Sequence, residues 1–584
     1  MRIHLLALAV AAAFVTLLPA GPAHAAGTSF TWVGSSQDPT ADNHSWTDAR
    51  NWSPQGVPGN GDSVSIAQPN GSHCTAHVDN VPTVTLTDLT LRQTPDLCGT
   101  SINGGQLTVT GTFTWDGGAL ASPTTLAAGS VGTINGTNDR QNGLAQDLDV
   151  AGSLSLTGVT GRAALLISNP SVLHVLPGGT LTSVGDNLVT FLSCCNNPAR
   201  VTNDGTVAVD GGTFEVDAVA FDQDGTLTAS GGGRLLSTAA PVTAGDGASY
   251  DGTGGWTIHD RSHAVVTGTQ TLGPDFHLEL GSLTDQSGST LAGAAVLAGS
   301  GTFDWSGATI EADLTVAHGV TVHAAGVPTH NGRRVLQGSD TTVTPAVPAP
   351  FTIHGRLVVD QGAEIGTAGT ARLVIASDGT LSLAPGSAFD SGACCVSPDR
   401  IVNHGTVEVT DGPGSDPVVV TNVFLDSDGD VAVPTGQVLE LNQVVTVRGG
   451  TLLGTGTLAA DVDNVGGTVR PAGSERGTFT VDGSYHQHRS ASLAIDLGQG
   501  TGDRLVVTGA ATLGGRLATH DLGGYRPRTG ATRQVLAAAS VTGRLGCAVT
   551  SGTASTGADA GHWQPRAGAT LLKVRWVAGR RTQC

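Results

Sequence analysis

From about residue 28 onward, apolar and polar side chains alternate in short runs with a period of two. Gly205-Thr206-Val207-Ala208-Val209, Gly225-Thr226-Leu227-Thr228-Ala229, Gly379-Thr380-Leu381-Ser382-Leu383 and Gly405-Thr406-Val407-Glu408-Val409 are representative. Alternation of this kind predicts strands with one face inward and one in water. The glycine opening each run, often preceded by Asp, predicts a turn that needs positive φ. No stretch beyond residue 25 sustains the 3.6-residue period of a helix. The pattern predicts an all-β chain.

Self-comparison adds organisation. Residues 194–209 read CCNNPARVTNDGTVAV and residues 394–409 read CCVSPDRIVNHGTVEV, an offset of 200 residues. Upstream, Gly111-Thr112-Phe113-Thr114-Trp115 matches Gly301-Thr302-Phe303-Asp304-Trp305 at an offset of 190. The centre of the chain is therefore a duplicated unit, and the second copy carries extra residues that fit the Pro-rich stretch Thr344 to Phe351. Coil-sized units recurring without long loops predict a β-solenoid, or parallel β-helix, with an N-terminal and a C-terminal β cap. A string of β-sandwiches is the alternative. The low aromatic content, 4%, favours the solenoid, because several wide sandwich cores need large side chains that this chain lacks.

Composition sets the compartment. Arg2 followed by the apolar stretch Leu5 to Leu18, then Ala23-His24-Ala25, reads as a signal peptide over residues 1–25. No later segment is long and apolar enough to span a membrane, so a secreted, extracellular protein with no membrane span after signal cleavage is expected. Export makes the eight cysteines disulfide candidates. Cys74 with Cys98, and Cys547 with Cys584, are the natural pairs. The doublets Cys194-Cys195 and Cys394-Cys395 sit 200 residues apart. With coils of about 20 residues rising about 4.8 Å each, that offset spans on the order of 48 Å, far beyond the roughly 6.8 Å Cα separation a disulfide allows. Each doublet therefore serves locally, stays reduced, or bridges to another molecule. The formal net charge is −20. An acidic chain with no run of basic residues before Arg575, Arg580 and Arg581 is not expected to bind nucleic acid.

Two segments resemble a known family. At the start, Trp32-Val33-Gly34, Ser45-Trp46, Asn51-Trp52-Ser53, Gly56-Val57-Pro58 and Gly61-Asp62-Ser63-Val64 follow one another in order. Near the end come Gly477-Thr478-Phe479-Thr480-Val481, Leu493-Ala494-Ile495-Asp496-Leu497 and Asp503-Arg504-Leu505-Val506-Val507, preceded by the repeat-like stretch Gly449 to Gly473. Over roughly residues 28–66 and 449–545 the chain resembles secreted autotransporter passengers. The resemblance implies a solenoid whose ends are closed by caps. It departs from that family in lacking the outer-membrane barrel, which implies secretion without self-transport.

The organisation expected is residues 1–25 signal peptide, 26–104 Trp-rich cap, 105–290 first solenoid unit, 291–476 second unit and 477–584 passenger-like cap. Candidate chemistry is sparse. The tryptophans of the first cap read as core, with a sugar-stacking platform as the alternative. Asp222-x-Asp224-Gly225 and Asp426-x-Asp428-Gly429-Asp430 read as strand turns, with weak Ca²⁺ binding as the alternative; the acidic residue that an EF-hand needs at its twelfth position is Gln437 here. His486-Gln487-His488 puts two imidazoles on one strand face, too few ligands to assign a metal. Arg200 and Arg400, in a repeated Pro-x-Arg, read as packing residues, with a lyase base or anion clamp as the alternative. No catalytic, cofactor-binding or metal residue is assigned, and no nucleophile-elbow, zinc-protease or phosphate-loop motif occurs. The expected function is a non-enzymatic structural or adhesion protein, a rigid rod with a long repeated face. A polysaccharide lyase or glycoside hydrolase on a β-helix is one alternative and a carbohydrate-binding protein another. Extracellular polysaccharide or cell-surface components are the expected partners.

Overall fold

The computed structural model describes residues 27–579 except 68–75, 94–99, 137–141, 159–162, 192–198, 260, 282–288, 325–333, 338–349, 369, 392–398, 413–415, 474–475, 501 and 553–559. The predicted signal peptide lies outside the described residues. So do Cys74, Cys98, Cys194, Cys195, Cys394, Cys395 and Cys584.

The short strands stack into a parallel β-solenoid with three strands to a coil. One coil shows the plan. Arg200–Asn203 lies in the first sheet, Thr206–Asp210 in the second and Thr213–Asp217 in the third. The chain then returns as Ala220–Gln223, which pairs in parallel with the strand it started from, Arg200 opposite Ala220. The third sheet continues through 21 strands, from Ala76–Val81 to Cys547–Gly552. Antiparallel pairing between described strands is confined to the two ends. The β-sandwich alternative is thereby excluded, since sandwiches are built from antiparallel sheets. The only helical elements described are the single 3₁₀ turns Gly34–Ser36 and Ala49–Asn51.

Alternation explains the core. In Thr206–Asp210, Val207 and Val209 are buried while Thr206 and Ala208 face outward. The ladder register then stacks like on like: Leu154, Leu181, Val207, Leu227 and Tyr250 lie one above another on successive coils. Each such aliphatic is worth about 1.5–3 kcal/mol when fully buried. A column one side chain wide needs few aromatics, which suits this composition.

Polar side chains also point inward, at the corners. Asn203 donates to Gln223 Oε1 at 2.8 Å and to the Thr226 carbonyl at 3.0 Å. Asn403, its counterpart in the second copy, donates to Ser427 Oγ at 2.9 Å and to the Asp430 carbonyl at 2.9 Å. These bonds fix the turn that follows each strand and satisfy polar groups that would otherwise be costly to bury.

The corner glycines serve a purpose other than the one expected. Gly205, Gly225, Gly379 and Gly405 do not adopt positive φ. They are needed because coils approach closely: a Cβ on Gly405 would lie 2.1 Å from the Ala376 carbonyl oxygen and 2.3 Å from that of Gly379. The residue after each glycine uses the contact, with Thr206 N–H donating to the Gly179 carbonyl at 3.0 Å and Thr406 N–H to that of Gly379 at 3.1 Å.

The duplicated unit holds a second correction. Arg200–Asn203 belongs to the first sheet, but the matching strand Asp399–Asn403 belongs to the second. Likewise Thr206–Asp210 is in the second sheet and Thr406–Val409 in the third. The Gly111/Gly301 landmarks shift the same way, from Thr112–Asp116 in the second sheet to Thr302–Trp305 in the third. The duplication is not a whole number of coils, so equivalent residues project from different sides of the rod. The expected long repeated face does not form.

Both ends are closed by aromatic layers. Trp32, Trp46 and Trp52 are at most 3% exposed and pack edge to face, with ring centroids 4.8 and 5.0 Å from Trp52. Trp46 Nε1 donates to the Pro58 carbonyl and Trp52 Nε1 to that of Trp46. Burial on this scale removes the sugar-stacking alternative. At the other end Gly561–Ala567 and Leu571–Ala578 form an antiparallel hairpin. Its Trp563 and Trp576 meet at 5.3 Å, and Trp563 Nε1 bonds Asp521 Oδ1 at 2.9 Å.

Candidate functional site

The parallel ladder places residue i beside a residue one coil away, so chemistry is assembled across coils. Four of the acids singled out from the sequence, Asp222, Asp426, Asp428 and Asp430, are engaged in this way. Arg200 pairs with Asp222. Arg400 pairs with Asp426 at 2.5 Å and stacks over the Phe424 ring at 5.3 Å, while Arg448 approaches the same carboxylate at 3.5 Å. Asp428 bonds His404 Nδ1 at 2.6 Å, and Asp430 Oδ1 accepts the Thr451 N–H at 2.9 Å. A carboxylate held by one or two guanidinium groups is not available to cradle calcium. Arg200 and Arg400 are thus each committed to an ion pair with an aspartate one coil away.

His486 and His488 have a different setting. The strand Tyr485–Gln487 pairs in parallel with Val462–Asn464, and the register sets His486 opposite Asp463. Gln487 points inward, and its amide donates to the Gly514 carbonyl at 2.7 Å and that of Arg516 at 3.1 Å. It anchors the corner and holds the two flanking imidazoles on the outer face. His488 Nε2 lies 2.7 Å from Asp463 Oδ1, and His486 Nδ1 lies 3.3 Å from the same oxygen. The imidazole rings are 4.1 Å apart. Asp463 carried no signal in the sequence, because it stands a full coil upstream of the histidines.

The two imidazoles border a groove of about 1050 Å³ at the corner between the second and third sheets. Arg489, Arg516 and Arg544, each from a different coil, line it, and its lining contains no Asp or Glu. All three arginines are exposed, and among the described residues none is in an ion pair. On a chain of net charge −20 this is a local reversal of sign, and a cleft lined by one sign of charge concentrates the opposite one. The three arginines are 27 and 28 residues apart, so no run of basic residues announces them.

Cys547 stands in the wall of this groove at the start of Cys547–Gly552. Its sulfur is not a free thiol, and Cys584, expected as its partner, lies outside the described residues.

Two carboxylates do lie close together elsewhere. Asp503 and Asp496 are 0% and 4% exposed, and Arg470 reaches Asp496 Oδ2 at 3.1 Å. Asp503 accepts the backbone N–H groups of Gly477 at 3.1 Å and Asp496 at 2.9 Å. Burial, with a smaller contribution from the negative Asp496 beside it, pushes the Asp503 carboxyl up to about 7. The pair is sealed inside the coil stack and cannot flank a sugar, as glycoside hydrolysis requires.

No protein-family model and no curated protein matches this chain.

Proposed function

We propose that this chain is a secreted, non-enzymatic β-solenoid of the structural or adhesive kind, which grips an acidic polysaccharide through the arginine groove at its C-terminal end. The observation that carries the reading is the charge reversal: Arg489, Arg516 and Arg544 gathered from three coils with no acid among the lining residues. The signal-peptide pattern of residues 1–25 supports export. The resemblance of residues 28–66 and 449–545 to autotransporter passengers supports a role at the cell exterior. A groove with cations and no paired carboxylates favours holding a polymer over hydrolysing it.

The test uses a polyuronate and a neutral dextran against the full secreted chain at low and moderate salt. Polyuronate should bind and weaken as salt rises, because exposed charges are screened. The combined Arg516→Ser and Arg544→Ser variant should lose at least about tenfold in affinity with an unchanged circular dichroism spectrum. Equal binding of dextran, or a variant that binds as wild type, would refute it. Appearance of new chain ends in the polymer would move the reading to a lyase or hydrolase.

A further inference from the structure

We propose that Asp463, His486 and His488 form a binding site for a divalent transition-metal ion of the zinc class. One ligand atom from each of the three lies within 4.8 Å of the others. A tetrahedral ion with metal–ligand bonds of 2.0–2.2 Å sets its ligand atoms about 3.3 Å apart. The observed 2.7 and 3.3 Å contacts to Asp463 Oδ1 lie near that spacing, so only small side-chain rotations are needed to admit the ion.

Other Asp–His contacts in the described solenoid have another stoichiometry. His277 meets Asp304, His354 meets Asp378 and His404 meets Asp428, one ring to one carboxylate. At His174 a single ring lies between Asp149 and Asp204. Those contacts are complete as hydrogen-bonded pairs. At Asp463 two imidazoles converge on one oxygen, one more donor than a simple pair uses. They also bring two rings close together, an arrangement that a shared cation stabilises.

The donor set selects the ion. Two imidazole nitrogens and one carboxylate suit zinc, copper, nickel or iron, whereas calcium and magnesium prefer oxygen alone. The scaffold is preformed. His486 and Asp463 are register partners on adjacent coils, and Gln487 between the histidines is tied to two backbone carbonyls. Three protein ligands leave a fourth position open. Both histidines also line the groove that Arg489 borders, so a bound ion would offer that position to an anionic group. The site stands apart from the polysaccharide reading, because the metal alone is its probe.

The experiment is titration of the metal-free full chain with Zn²⁺ by isothermal calorimetry. Two variants, His488→Ala and Asp463→Asn, and a control, His404→Ala, are titrated alongside. The expected result is one stoichiometric site in wild type, unchanged in the control and weakened at least about tenfold in both variants. Co²⁺ substitution supplies a second readout: the visible bands of a tetrahedral ion should appear in wild type and vanish in His488→Ala. The proposal is overturned if wild type shows no stoichiometric Zn²⁺ binding, if the two variants bind as wild type does, or if the control loses as much affinity as they do. Polyuronate binding that persists in chelator-treated protein would leave the groove reading standing whatever the zinc result.

Discussion

Replacing Gly405 with Ala tests the physical basis of the coil stack. The added Cβ would sit 2.1 Å from the Ala376 carbonyl oxygen and 2.3 Å from the Gly379 carbonyl oxygen. Both obstacles are backbone, so no side chain can swing away, and the coils must part locally by about 1 Å to restore van der Waals contact. That movement strains two ladder bonds, Thr406 N–H to Gly379 O at 3.1 Å and His404 N–H to Ile375 O at 2.8 Å. Overpacking costs about 1–3 kcal/mol and each weakened hydrogen bond about 1 kcal/mol. Restricting the unfolded chain returns about 0.4–1 kcal/mol. The net loss is roughly 2–5 kcal/mol, concentrated in neighbouring coils because a solenoid is held by nearest-neighbour contacts. Gly143→Ala is the control, since its Cβ would come no nearer than 3.8 Å to any atom, and it should change stability by less than about 0.5 kcal/mol. Urea unfolding followed by far-ultraviolet circular dichroism gives the difference. Amide exchange at Thr406–Val409 and Asp430–Val433 shows where it falls. Gly405→Ala as stable as Gly143→Ala, with unchanged exchange, would refute the close-approach account.

Two further outcomes follow from buried groups. The Asp503 carboxyl, pushed up to about 7 in the native state against about 3.9 when unfolded, binds more protons folded than unfolded between those values. Its contribution is therefore full below about pH 4 and lost as pH rises through about 7, a swing on the order of 4 kcal/mol. The urea midpoint of wild type should fall over that window relative to Asp503→Asn, which has no proton to lose there; parallel slopes for the two proteins would count against it. Trp52→Ala empties the centre of the N-terminal aromatic layer, where Trp32 and Trp46 both contact that ring. It should cost about 3–5 kcal/mol and expose residues 27–67 to limited proteolysis ahead of the rest; proteolysis at the wild-type rate would show that the layer is not what closes this end.

What could be read along the chain was what is local to it. Period-two runs such as Thr206–Asp210 announce strands, and their recurrence at coil spacing announces a solenoid, because burial of alternate residues is decided within a few positions. The reason for Gly405 was not legible: a turn residue and a residue pressed against the coil below look the same in sequence. The Trp52 cluster could be read as cap or as platform until its depth was known. The groove and the Asp463 cluster were hidden for a simpler reason. Asp463 and His486 are 23 residues apart, Arg489 and Arg516 are 27, and Arg200 and Ala220 are 20. Coil length varies at the corners, so no fixed period collects the residues that share a face.

The rotation between the two copies bears on how such a rod would hold a ligand. Had the duplication spanned a whole number of coils, Arg200 and Arg400 would stand in one line, and a polymer lying along that line would meet the same chemistry twice. Instead Arg200 projects from the first sheet and Arg400 from the second, each matched to its own aspartate. Duplication here lengthened the rod without doubling a binding face. Among the described residues, Arg489, Arg516 and Arg544 stand outside any ion pair and gather in one groove near the C-terminal cap, and they belong to neither copy of the duplicated motif. A rod that engages its target near one end and spaces the rest away from it accounts for both facts. On that view, shortening the central coils should change reach and leave the affinity of the groove as it was.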